Sequence, residues 1–305
     1  MVGDVINDVL VETAGAVVPG EDNAASVRVR PGGSAANQAA WMGHLGLDVL
    51  FAGRVGGLDA EFHRLELARF GVSACLAVDE SLSTGSIVVL IEADGERTMI
   101  TDRAANLRLA ASDVPFALLD GVALLHLTGY TLFEAGPRCV ARGLIREARR
   151  RGIPFTVDPG SAAFLAGLSP GDFIRWTEGA AVCFPNLDEA ATLTRLAGPA
   201  SPAGDADPAA MAASLARHYG VVALKLGPDG VLIATDGSHP RRFPATASAV
   251  RDTTGAGDAF CAGFLAAWLS GAGLASATVA ASRAAAAAVA GLGGRPPVQA
   301  ARTPG

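Results

Sequence analysis

The chain has 305 residues, half of them hydrophobic and 18% charged, with a formal net charge of −6. That is enough apolar material for a large buried core, and too acidic for a dedicated nucleic-acid binder, whose phosphate contacts need clustered Lys and Arg. Among the 24 basic residues only Lys225 is a lysine, and Leu226 follows it; a Walker A loop needs Lys followed by Ser or Thr and is excluded.

Only Met1 and Val2 precede Gly3-Asp4, fewer apolar residues than a buried first strand normally has. Either that strand is short or native residues are missing before it. Ser26–Arg30 then alternates in a polar pattern before Gly32. Apolar periodicity predicts helices over Ala35–Gly46 and Ala60–Phe70, with a strand over Val49–Ala52 between them. Strands follow at Ile87–Ile91, Ala123–Leu127, Phe155–Val157, Ala181–Phe184, Val221–Lys225 and Val231–Ala234. Helices are expected at Pro137–Arg151, Leu187–Leu196, Pro208–Tyr219, Ala256–Leu269 and Leu274–Ala290. This alternation implies an α/β fold: a mainly parallel central sheet with helices on both faces, Rossmann-like and three-layered. Ligands then bind beyond the carboxyl ends of the strands. Gly85–Ile91 and Arg97–Thr101, joined by Ala93-Asp94-Gly95-Glu96, read as a hairpin. With the 9–31 segment, the 84–104 segment forms a small β lid on one domain spanning 1–305. The Pro- and Gly-rich stretch from Gly198 to Pro208 reads as a surface loop, and the tail after Gly291 as irregular.

Cys75, Cys139, Cys183 and Cys261 form no Cys-x-x-Cys pair and read as reduced core residues. No secretory leader pattern opens the chain, so a cytoplasmic protein is expected. The uncharged stretch from Ala259 to Ser282 is long enough to span a bilayer, but Ser270-Gly271-Ala272-Gly273 breaks it into two short buried helices. No membrane partner is expected.

The strongest chemical signal is Asp252-Thr253-Thr254-Gly255-Ala256-Gly257-Asp258-Ala259-Phe260. A turn of small residues runs into an apolar helix. Its glycines bring backbone N–H groups to one spot, and the helix start adds partial positive charge. Gly255, Ala256 and Gly257 thus form an anion hole suited to a phosphoryl group. Asp258 stands beside it, placed to take a proton from an attacking hydroxyl; its bland role is a helix cap. The second signal is Gly32-Gly33-Ser34-Ala35-Ala36-Asn37-Gln38-Ala39-Ala40. It reads either as a flexible turn capped by Ser34, or as a hinge with Asn37 projecting toward a polyol.

These two segments, in this order and spacing, resemble the signatures of the ribokinase-like (PfkB) carbohydrate and nucleoside kinases, over nearly the whole chain. The resemblance implies ATP-dependent phosphorylation of a sugar hydroxyl by a ribokinase-like fold with a lid. It implies that Asp8 binds substrate hydroxyls and that Gly32, Gly33 and Asn37 line the sugar pocket. Asn186-Leu187-Asp188-Glu189 resembles the family's Asn-x-x-Glu motif, which implies that Glu189 orders the Mg2+ and phosphate shell through water. Lys225-Leu226-Gly227-Pro228-Asp229-Gly230 resembles the nucleotide loop, with Lys225 near the ATP phosphates and Gly227 and Gly230 shaping the turn. A K+ or other monovalent-cation site is implied at Asp252 and Thr254, with carbonyls near Gly291–Gly293. A homodimer through the lid sheets is implied as well, and an unpaired lid edge calls for a partner.

Ribokinase itself would carry a carboxylate where Thr128-Gly129-Tyr130 follows the Leu124–Leu127 run, which disfavours ribose. Arg103 and Asn106, in Asp102-Arg103-Ala104-Ala105-Asn106, are candidate substrate contacts, with Arg103 suited to an anionic sugar acid. Its bland role is a solvated loop arginine. A nucleoside kinase of the same fold is the alternative, and a non-catalytic sugar sensor is more remote. Val222-Ala223-Leu224-Lys225 imitates the protein-kinase strand lysine, but no His-Arg-Asp or Asp-Phe-Gly accompanies it. Gly167-Leu168-Ser169-Pro170-Gly171 matches the serine-hydrolase pattern Gly-x-Ser-x-Gly, making Ser169 a remote hydrolase candidate.

Overall fold

Two β-sheets of different character carry the chain's elements. The computed structural model describes residues 1–13, 15–91, 97–169, 171–197 and 207–297. The first part holds β1 (Ile6–Thr13), β2 (Ala25–Gly32), α1 (Ser34–His44), β3 (Val49–Gly56), α2 (Ala60–Ala68), β4 (Val72–Asp79), β5 (Gly85–Ile91) and β6 (Arg97–Asp102). The middle holds β7 (Leu125–Thr128), α3 (Tyr130–Phe133), α4 (Ala135–Arg150), β8 (Phe155–Asp158), α5 (Ala162–Ala166), α6 (Asp172–Thr177) and β9 (Val182–Cys183). The last part holds α7 (Leu187–Ala197), α8 (Pro208–Ala216), β10 (Val221–Lys225), β11 (Val231–Ala234), β12 (Arg241–Phe243), α9 (Ala256–Leu269) and α10 (Leu274–Val289).

The main sheet runs β12-β11-β10-β9-β8-β7, with β7 to β10 parallel and the last two strands antiparallel at one edge. Val2 makes parallel bridges to both Leu127 and Ala52. It thereby joins the parallel β3–β4 pair to the same sheet. The first central strand is therefore short, a single residue deep.

Alternate residues of each buried strand face opposite layers, as a period of two requires. Val222 and Leu224 pack in one core with α4, α6, α7 and α8. Val221 and Ala223 pack in the other with α1, α2, α9 and α10. In that second layer α9 and α10 come so close that a Cβ on Gly263 would stand 2.8 Å from the Ala284 Cβ. The uncharged stretch is thus two buried helices, and among the described residues no helix is long and apolar enough to cross a membrane.

The smaller sheet has the order β2-β1-β5-β6. Its β1–β2 and β5–β6 pairs are antiparallel and its β1–β5 pair is parallel. The turn expected at Ala93-Asp94-Gly95-Glu96, most of the Gly198 to Pro208 stretch and the end of the tail lie outside the described residues.

Expected and observed elements differ at identifiable places. β1 carries Asp8 and Glu12 on the face that lines a cavity, and Asn7 on the other face bonded to Asp59, so an apolar strand pattern is broken. β4 mixes Ser73, Cys75 and Ala77 with apolar residues on an open edge. Ser34 is not the cap of α1: Gly33 holds that place at φ 92, and the Ser34 hydroxyl is used elsewhere. All four cysteines are free, but only Cys183 and Cys261 are core residues, since Cys75 and Cys139 are exposed. Ser169 sits exposed between α5 and α6, with no strand-to-helix elbow around it. Pro170 lies outside the described residues, and His218 pairs with Glu178 rather than with Ser169.

Candidate active site

Helix α9 starts at the carboxyl end of the main sheet, where two cavities meet. Gly255 caps it in the left-handed region at φ 75. A Cβ there would stand 2.5 Å from the Gly294 Cα, so the C-terminal loop closes directly over the turn. Asp252 braces that junction, accepting N–H bonds from Thr254 and Gly293, both at 2.9 Å. The first-turn N–H groups of a helix have no intrahelical acceptor. Those of Gly255, Ala256 and Gly257 are gathered here, and the Ala256 N–H also makes a 3.3 Å turn contact with Thr253.

One cavity, of about 330 Å³, is walled by Thr254, Gly255 and Asp258 from this turn. Gly33 before α1, Ser34 and Asn37 of α1 and the inner face of the small sheet complete much of it. The other, of about 770 Å³, is walled by Thr253, Ala256 and Gly257. Asn186, Lys225, Gly227 and Gly230 face it from the other side. The helix start thus has an outlet on each side.

Asp258 is gripped by the first turns of α1. Its Oδ1 accepts from the Ser34 hydroxyl at 2.8 Å and the Gln38 amide at 3.0 Å, and its Oδ2 accepts from the Asn37 amide at 3.2 Å. Burial raises its carboxyl to about 7; the Gln38 bond lowers it, the nearby Asp158 charge raises it, and the Ser34 and Asn37 bonds lower it. A carboxyl near neutrality suits a general base. Asn37 Oδ1 is buried without a hydrogen-bond partner.

Asp8 faces the smaller cavity from within the small sheet, on β1. Burial, and then the charge of Asp4, push its carboxyl up to about 6, while Arg295 acts to lower it. Gly32 backs it so closely that a Cβ would stand 2.1 Å from Asp8 Oδ2. Gly33 at φ 92 admits no side chain either, because Asp4 O lies 2.7 Å from the Cβ position. Arg103 also lines this cavity at 8% exposure, with Nη1 buried and unpartnered and its guanidinium 5.4 Å from the Tyr130 ring centre. Ala104 beside it is held at φ 37, a strained conformation for an L-residue. Asn106, expected in the substrate pocket, is not on this wall. Its amide is used up clamping the backbone of Val5, with the N–H to Oδ1 and Nδ2 to O distances both 2.9 Å.

On the other side, Lys225 Nζ is 3.1 Å from Asp158 Oδ1 and lies 3.4 Å from the Cβ position of Gly257. Burial acts to lower its ammonium, but Asp158, Cys261 and Glu189 outweigh it and hold it above its ordinary value. Gly230 at φ 93 lets the loop pass against Phe243 O. Glu189 is set back from the cavity wall. It forms a reciprocal box with Asn186, taking the Asn186 N–H at 2.8 Å and its amide at 2.9 Å. Burial raises its carboxyl to about 7, with Lys225 lowering it and Asp158 raising it.

Asp158 and Gln38 escaped the sequence reading. Asp158 ends β8, one residue beyond the expected strand, where a carboxylate before Pro159-Gly160 marks a ligand-facing strand end. Gln38 lies one turn after Ser34, but its residue type gave no signal against a background of buried helix positions.

A model of the pfkB family of carbohydrate kinases matches residues 1–301. The bifunctional protein HldE of Caulobacter vibrioides is 32% identical over 270 residues, covering 86% of this chain and 52% of its own; the chain spans about half the length of that relative. The ATP-dependent ribose-1-phosphate kinase of Halopiger xanaduensis is 29% identical over 259 residues, 82% of this chain and 77% of its own. The crystal structure of adenosine kinase from Sinorhizobium meliloti superposes with a TM-score of 0.84 at 22% identity, covering 97% of this chain and 94% of that one.

Proposed function

The chain belongs to the pfkB family of carbohydrate kinases, and on that premise we propose that Asp258 is the base that activates a hydroxyl of a sugar or sugar derivative for attack on the γ-phosphorus of ATP. The observation that carries this reading is the start of α9, whose N–H groups and Asp258 stand between a smaller and a larger cavity. The sugar occupies the smaller one and the nucleotide the larger. The hydroxyl oxygen bonds to the γ-phosphorus as the bond to the bridging oxygen breaks, ADP leaves with that oxygen, and the hydroxyl proton passes to Asp258. Two donors already occupy Asp258 Oδ1 and one occupies Oδ2. Oδ2 therefore keeps the lone pair that takes the proton. The unpartnered Asn37 Oδ1 beside it accepts from a second substrate hydroxyl, and Asp8 from a third. Gly255, Ala256 and Gly257 hold the transferring phosphoryl oxygens, and Lys225 approaches them from the nucleotide side. Positioning and charge neutralisation supply most of the catalysis in such a transfer.

Among the described residues no three His, Cys, Asp or Glu side chains cluster as metal ligands. Mg2+, which neutralises phosphate charge when bound, would be held mainly by the nucleotide and water, with Glu189 ordering that water. A monovalent cation such as K+ would be held at Asp252 and Thr254 and would stiffen the hole. The small sheet acts as a lid that excludes water. Val29, Val9, Val88 and Ile100 lie in register across its outer face, with Val29 and Ile100 exposed. That apolar row supports a homodimer through the lid. Four unpaired cysteines support a cytoplasmic location.

The buried Arg103, whose Nη1 has no hydrogen-bond partner, supports a substrate that carries an anionic or carbonyl oxygen at that end of the cavity. A thermal-shift and turnover screen of neutral sugars, sugar acids, sugar phosphates and nucleosides, with ATP and Mg2+, tests this. Arg103→Ala should raise KM for an anionic sugar at least about tenfold, the scale of a charge-assisted hydrogen bond, and spare a neutral one. Equal effects on both would refute the role of Arg103. Preferred turnover of nucleosides would replace the sugar reading, and no turnover of any acceptor would leave a sensor.

A further inference from the structure

Behind Asp258 lies a buried polar chain that the proposed chemistry does not use. Gln38 points its amide nitrogen between two carboxylates, 3.0 Å from Asp258 Oδ1 and 2.8 Å from Asp158 Oδ2. Its amide oxygen is 2.5 Å from His126 Nε2, and His126 Nδ1 is 2.7 Å from the Thr156 hydroxyl. Gln38, His126 and Thr156 are all buried.

Donor and acceptor accounting leaves one consistent arrangement. The Gln38 oxygen only accepts, so His126 carries its proton on Nε2 and accepts from Thr156 at Nδ1. Burial lowers His126 to about 3, so it holds that single proton at any working pH. The reversed Gln38 amide would aim its oxygen at two carboxylates. The two hydrogens of Nε2 are therefore committed to Asp258 and Asp158. Ser34 Oγ, 3.2 Å from the same nitrogen, spends its own hydrogen on Asp258.

We propose that Gln38 is a positioning residue for the phosphoryl transfer: its amide clamps Asp258 to Asp158, fixing the base beside the α9 turn, and His126 sets the sense of that amide. Asp158 is itself tied to Lys225 on the nucleotide side, so the clamp joins the two halves of the site. By donating to both carboxylates, Gln38 also offsets the repulsion between them. Other charged or titratable groups around Asp258 are Tyr130 and Cys261; Asp4, Asp8, Arg103, Arg251 and Asp252 line the smaller cavity, with Glu12, Arg28 and Arg30 also on its wall. Glu189 and Lys225 stand behind Asp158. A change at Gln38 keeps all of these side chains in place, although Lys225 and Cys261 share Asp158 with it. The inference rests on Asp258 being the base.

The test is the pH profile of kcat for Gln38→Met, which keeps length and volume but has no donor, with His126→Leu, the double variant and Asp258→Asn alongside. Loss of the clamp should move the acid limb of Gln38→Met upward by about one pH unit, a roughly tenfold loss on the acid side that largely recovers at alkaline pH. His126→Leu should shift the limb the same way by less, and the double variant should match Gln38→Met alone. A uniform loss at every pH in folded, nucleotide-binding Gln38→Met would overturn the positioning role, because a structural defect does not move a limb. Additive shifts in the double variant would overturn the part given to His126. Near wild-type turnover of Asp258→Asn would instead remove the base reading on which the inference stands.

Discussion

Gly32→Ala should injure sugar binding through Asp8 while leaving the fold nearly intact. Gly32 is not in the left-handed region, so its backbone admits alanine. What a Cβ meets is the Asp8 carboxylate, with Oδ2 at 2.1 Å and Oδ1 at 2.6 Å. Reaching an ordinary contact of about 3.4 Å obliges Asp8 to retreat by about 1.3 Å, which a short flexible side chain does cheaply. A hydrogen bond between that carboxylate and a substrate hydroxyl does not survive such a move. Its loss is worth about 1.5–3 kcal/mol, or about 10- to 150-fold in KM for the sugar. Steady-state kinetics on Gly32→Ala, Asp8→Ala and the double variant checks this. KM for the sugar should rise in each single variant, KM for ATP should stay, and the double variant should be no worse than Asp8→Ala alone. An unchanged sugar KM in Gly32→Ala, or additive losses in the double variant, would refute the reasoning. Additivity would mean that Gly32 acts as a hinge in its own right.

Gly33→Ala differs in kind, since φ 92 and the Asp4 carbonyl at 2.7 Å involve only backbone. It should lower unfolding free energy by about 2–4 kcal/mol in urea titrations, from left-handed strain and overpacking together. Lys225→Met should raise KM for ATP at least about tenfold and leave KM for the sugar near wild type, as loss of a charge-assisted phosphate contact implies. Because the Asp258 carboxyl is raised to about 7 and only its ionised form accepts a proton, kcat of the wild-type enzyme should fall below pH 7 and plateau above it. Falling activity above pH 7 with a plateau below it would reverse that sign.

The elements with strong periodicity were legible at once. β10, β11 and α9 have the bounds that apolar alternation and the Gly255 turn imply. β1 was not, because its inner face serves a cavity and carries Asp8 and Glu12 where a core strand would carry apolar residues. Glycine-rich turns announced the two walls around Asp258, since a positive φ at Gly33 and Gly255 leaves a sequence trace. Gln38 and His126 left none, and Asp158 left only its place before Pro159-Gly160. Their meeting depends on the ends of β7 and β8 lying beside α1, a contact between residues 88 and 120 positions apart in the chain. Asn106 misled for the opposite reason: a polar residue in a loop near Arg103 turned out to satisfy the buried backbone of Val5.

The most direct test is Asp258→Asn, read by two measurements on one preparation. Turnover of ATP with the preferred sugar should fall at least about 100-fold, the scale of a positioned base. Calorimetric binding of a non-hydrolysable ATP analogue should stay near wild type, because the α9 N–H groups and Lys225 are untouched. Turnover near the wild-type rate would contradict the assignment of Asp258 as the proton acceptor.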